Sequence, residues 1–71
     1  MKEKRLKIKY RGSFPTKTKP RIMYRYAYTE KAAWEKFCRS ISEEDIVSLQ
    51  SVKDIFPFDG ERTNYSIEVV I

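Results

Sequence analysis

The side chains with the most evident chemistry in this sequence are its cations, and they are most regular where they are densest. Arg5, Lys7, Lys9 and Arg11 take alternate positions, Lys17 and Lys19 follow in a stretch bounded by Pro15 and Pro20, and Arg21 and Arg25 come next. Residues 1 to 25 hold ten Lys and Arg against the single acid Glu3, a net +9, whereas residues 26 to 71 hold five basic residues against nine acidic ones, a net −4. The total of +5 conceals this polarity. A one-sided cluster of ammonium and guanidinium groups binds phosphates by releasing their condensed counterions, and it also attracts anionic lipid or an acidic protein surface. Phe14, Tyr24 and Tyr26 lie among these cations, and Tyr28 follows them. If exposed, their rings can stack on unpaired bases or anchor a protein contact.

Catalytic chemistry has little to work with. The chain has no histidine, so the commonest general base near neutral pH is missing, and its lone Cys38 has no evident activating partner. Glu43, Glu44 and Asp45 are consecutive carboxylates without the spacing of a calcium loop, and two glycines, Gly12 and Gly60, cannot form a phosphate-cradling loop. The expectation is a protein that is not an enzyme, with no catalytic residue, no cofactor, no metal and no small-molecule substrate.

Length and composition bound what can position these groups. Seventy-one residues make one domain, spanning 1–71, with a small core. With 41% hydrophobic and 35% charged residues the chain is apolar enough to fold. The charged start, Met1 to Arg5, is not followed by the apolar stretch of a signal peptide, and no run has membrane-spanning length, so the expected setting is cytoplasmic and away from membranes. A single cysteine provides no internal disulfide framework.

From Arg5 to Arg11, Leu6, Ile8 and Tyr10 alternate with the four cations, the pattern of a half-buried strand. Gly12 to Pro20 reads as a connection that turns at Gly12 and Ser13 and leaves Phe14 exposed. A second strand from Arg21 to Tyr28 sets Ile22, Tyr24, Tyr26 and Tyr28 on one side, with Arg21 and Arg25 on the other. Thr29 is placed to cap a helix from about Glu30 to Ile41, whose Ala33, Trp34, Phe37, Cys38 and Ile41 form an apolar stripe read as core. Ser42 to Asp45 resembles the start of a second helix, a capping hydroxyl followed by acids, with a turn as the favoured reading. Its sequel reads as a strand reaching Phe56, ended by Pro57, because β-branched residues favour strands. Phe58 to Asn64 supplies turn chemistry, and Tyr65 to Ile71 forms a last strand.

The expected fold is α+β in the order β-β-α-β-β, an antiparallel four-stranded sheet with one helix packed on one face. The uncovered face then meets water or a partner. That face is expected to carry Arg5, Lys7, Lys9 and Arg11 beside Arg21 and Arg25, with Lys17 and Lys19 on a neighbouring loop. The tyrosine row, in phase with Ile22, is expected to turn toward the helix. The favoured partner is nucleic acid, DNA or RNA, held by its phosphates. The alternative is a small inhibitor or adaptor that blocks the surface of another protein, such as a nucleic-acid-binding protein. By analogy of size alone, phage and mobile-element proteins directed against defence nucleases or CRISPR effectors are of this kind. An open sheet also has two free edges, which leaves a homodimer through edge pairing open.

Overall fold

The alternation that begins at Leu6 does not stop at Arg11. In a computed structural model, which describes residues 6–58 and 64–71, the first strand β1 spans Ile8–Phe14, with Tyr10, Gly12 and Phe14 on its buried side. Strand β2, Arg21–Ala27, pairs with it antiparallel from Phe14 opposite Arg21 to Ile8 opposite Ala27. The hairpin loop is therefore the six residues Pro15 to Pro20, in which Thr16 Oγ1 accepts from the Thr18 amide at 3.2 Å and donates to the Lys19 carbonyl at 2.6 Å. Gly12 and Ser13 belong to the strand rather than to a turn. Gly12 is needed there because a Cβ at that position would lie 2.8 Å from the Phe14 ring and 2.9 Å from the Phe37 ring.

Helix α1 runs Glu30–Asp45, capped by Thr29, whose hydroxyl accepts from the Ala32 amide at 3.1 Å. It buries the expected stripe of Ala33, Trp34, Phe37, Cys38 and Ile41. Ser42 to Asp45 form its last turn, not a break, and it ends on Ile46 in the left-handed region at φ 54°. The Val47 amide then returns to the Ser42 carbonyl at 3.1 Å, a closure typical of helix C-termini.

The segment expected to be a third strand is instead a helix, α2, Leu49–Ile55. Ser48 caps it by accepting from the Ser51 amide, and Gln50 donates to Asp54 four residues on. Leu49, Val52 and Phe56 fall at helical spacing and turn inward, with Val52 and Phe56 buried. That spacing outweighs the β-branched composition. Trp34 Nε1 donates to the Phe56 carbonyl at 2.7 Å, and Lys53 reaches Glu35 at 3.7 Å, tying α2 to α1.

The last strand β3, Ser66–Val69, lies antiparallel to β1 on the side away from β2. The sheet is thus three-stranded in the order β2-β1-β3 with two helices, an α+β domain that replaces the expected four strands and one helix. Tyr65 is buried and Ile67 half-buried, but Val69 and Ile71 at the end of the expected row are exposed. The expected turn around Asp59 to Thr63 lies outside the described residues.

An aromatic cluster at the base of the hairpin joins these elements. Phe14 stacks on Tyr65 at 5.0 Å between centroids, meets Phe56 edge-on at 5.1 Å and tilts against Phe37 at 5.6 Å. Such pairs contribute about 0.5–1.5 kcal/mol each beyond area burial. Phe14 is only 1% exposed, so it is core and not the exposed loop residue that the sequence suggests.

Candidate functional site

Directly opposed residues of an antiparallel pair share a face, so the register of β1 against β2 decides what the open face displays. A six-residue loop pairs odd positions of β1 with even positions of β2: Lys9 with Tyr26, Arg11 with Tyr24 and Ser13 with Ile22. With Tyr10, Gly12 and Phe14 turned to the helices, the β1 cations and the β2 tyrosines face outward together. This reverses the expected orientation of β2. The side facing α1 carries Arg21, Met23, Arg25 and Ala27, with the small Ala27 and the unbranched, adaptable Met23 buried against the helix.

Arg21 and Arg25 therefore leave the open face and bind the helix. Arg21 Nη2 donates to the Asp45 carboxylate at 3.1 and 3.3 Å, and its Nη1 lies 3.7 Å from Glu44 Oε1. Arg25 donates to Ser40 Oγ at 2.8 Å and to the Tyr24 carbonyl at 2.7 Å. Arg21 thereby occupies two of the three consecutive carboxylates, Glu43 to Asp45. Among the described residues no three His, Cys, Asp or Glu side chains are grouped to hold a metal.

What remains on the open face is an ordered pairing of cation and ring. Lys9 Nζ sits 5.1 Å from the Tyr24 ring centroid and 6.0 Å from that of Tyr26, and Lys7 Nζ sits 5.7 Å from Tyr28. Tyr24 is 46% exposed and Tyr26 54%, although both belong to a sheet. The Lys9 carbonyl accepts from Val70 beyond β3 at 2.8 Å, so Lys9 and Tyr26 form the non-hydrogen-bonded kind of pair, in which opposed side chains lie closest. The Tyr24 and Tyr26 carbonyls accordingly point away from β1, where Arg25 and Lys36 donate to them at 2.7 and 2.6 Å. On the β3 side, Glu68 lies 3.7 Å from Arg11 and bounds the basic strip with a carboxylate.

Of the other expected binding residues, Arg5 lies outside the described residues. Lys17 and Lys19 are exposed in the hairpin loop, at the opposite end of the hairpin from Lys7. Lys17 instead borders a concavity of about 620 Å³ under the loop, floored by Phe14, Ile41, Val52 and Phe56 and bordered by the Arg21–Asp45 pair. Tyr28 joins the open face with the rest of the tyrosine row, the orientation opposite to the one expected. The signal that would have found it is loop parity, since fixing the hairpin ends at Phe14 and Arg21 sets the orientation of every β2 residue.

Burial pushes the Cys38 thiol from 9.0 up to about 11, opposed by the nearby Lys53 charge and assisted by Glu35. A thiol so held stays protonated and is not a nucleophile at neutral pH. Among the described residues no helix is long and apolar enough to cross a membrane. Comparison with protein-family models, curated proteins and solved structures gives no match.

Proposed function

We propose that this protein binds nucleic acid through the open face of its sheet, with Lys7, Lys9 and Arg11 as the phosphate-binding row. The observation that carries this reading is the cross-strand pairing of that row with exposed tyrosines on β2. Lys7, Lys9 and Arg11 stand in line at alternate positions and repel one another, offset in the free protein by the ring contacts of the lysines and by Glu68 beside Arg11. Half-exposed rings beside them add apolar surface that water does not favour. Both features become useful against a polyanion that also has aromatic faces. Arg21 is paired with Asp45 and Glu44, and Arg25 is hydrogen-bonded to Ser40 and the Tyr24 carbonyl on the helix side, so both tie the sheet to α1 rather than serve this surface.

The test is a salt titration of binding to a labelled random-sequence oligonucleotide. Three phosphate contacts give a log–log slope of about −2 on a single strand and about −3 on a duplex. Replacing Lys7, Lys9 and Arg11 together by Ala is expected to weaken binding at least tenfold and flatten that slope. Absence of binding at low salt refutes the reading. Binding that the triple variant retains undiminished moves the contact away from this face.

A further inference from the structure

The face has one row of cations and, beside it, one row of rings, and this arrangement fits one backbone with its own bases rather than two backbones. We infer that the occupant is a single-stranded nucleic acid whose bases stack individually on Tyr24 and Tyr26, with Tyr28 extending the row, while Lys7, Lys9 and Arg11 follow its phosphates. This inference rests on the nucleic-acid reading above and deepens it.

Spacing supports it first. Alternate residues of a strand are about 6.6–6.8 Å apart, roughly twice the 3.4 Å rise between stacked bases. Rings on this spacing cannot each meet a base within a continuous stack, whereas bases splayed from a flexible strand can each take one ring. A duplex presents only base edges in its grooves, because every base face is covered by a neighbour. Its contact with this surface would leave the tyrosine faces unused.

The width of the strip supports it second. Adjacent strands lie about 4.8 Å apart, so the cation row on β1 and the ring row on β2 together span little more than one nucleotide across. Beyond β1 the outward residues of β3 are Ser66 and Glu68, so that side offers no second row of cations for another backbone. Lys9 lies within cation–π range of both the Tyr24 and Tyr26 rings in the free protein. An arriving base displaces the ammonium from the ring face, and the ammonium remains within reach of the adjoining phosphate.

The experiment compares three probes of equal length, about 12 nucleotides: an oligothymidylate, a duplex and an abasic strand that keeps the phosphates without bases. The oligothymidylate is expected to bind at least tenfold more tightly than either of the others. Y24A/Y26A should reduce its affinity by about tenfold or more while leaving duplex and abasic binding within twofold, and Y24F/Y26F should retain single-strand affinity within about threefold. Thermal melts establish that both variants are folded, as expected for rings exposed to solvent. Equal affinity for all three probes, or an equal loss on all three in Y24A/Y26A, overturns the inference while the phosphate-binding reading survives. Absence of binding to any probe at low salt removes both.

Discussion

Replacing Gly12 by Ala adds one methyl group where β1 meets two buried aromatic rings. The new carbon would lie 2.8 Å from Phe14 Cε1 and 2.9 and 3.0 Å from Phe37 Cε2 and Cδ2. Carbon atoms in good contact sit about 3.5–4.0 Å apart, so the two rings must withdraw by roughly 0.5–1 Å. Neither has an evident direction of retreat. Phe14 is held between Tyr65, Phe56 and Phe37, and Phe37 is fully buried under β1. Overpacking of this kind costs about 1–3 kcal/mol, and the reduced freedom of the unfolded chain returns about 0.4–1 kcal/mol. The net loss of about 1–2 kcal/mol lowers Tm by roughly 5–15 °C in a domain of this size. Thermal and urea denaturation followed by circular dichroism measure it, with an unchanged urea m-value locating the cost in the folded state. Because Gly12 faces the helices, affinity of the folded variant for an oligonucleotide should stay within twofold. A Tm equal to or above that of the parent would refute the packing argument.

Two further outcomes follow from single residues. Ile46 ends α1 with φ 54° while 90% exposed, so it bears left-handed strain without packing in return; Ile46→Gly should raise stability by about 0.5–1 kcal/mol, and a lower urea midpoint would contradict this. Burial raises the Cys38 thiol from 9.0 to about 11, so the unfolded chain gives up this proton first; stability is full below pH 9 and is lost as pH rises through 11. Cys38→Ala should therefore show a shallower alkaline decline in urea midpoint than the parent, and parallel curves would remove the thiol from the account.

Local signals in the sequence were sufficient where they named a partner or a period. Thr29 followed by the stripe from Ala33 to Ile41 led to α1 because a cap and a helical face reinforce each other. The alternation of Leu6, Ile8 and Tyr10 gave the correct inward phase of β1 at Tyr10, but Leu6 and Ile8 are exposed rather than packed under the helix, and the buried side runs on to Gly12 and Phe14. The second strand was harder because both of its rows are amphipathic. Ile22 with three tyrosines looks more apolar than Arg21, Met23, Arg25 and Ala27, yet long arginine stems can lie along a core and carry their charge to its rim. Period two identifies two faces without saying which is inward, and the answer came from the even-numbered loop and the carboxylates of α1. Leu49, Val52 and Phe56 carried the period of α2, but they were masked by the β-branched Ile46, Val47 and Ile55, which all remain exposed. Gly12 read as a turn because a glycine admitting two aromatic rings to a strand looks the same in sequence as one that bends the chain.

The side-chain donors on the outer edge of β2 bear on how the protein behaves when concentrated. An uncovered edge strand is a template on which another chain can crystallise into a growing sheet. Here the Tyr24 and Tyr26 carbonyls are already occupied by Arg25 and Lys36, so an incoming strand meets filled acceptors and two positive charges. Side-chain occupation of these two acceptors disfavours strand addition along this stretch of β2, next to the exposed rings.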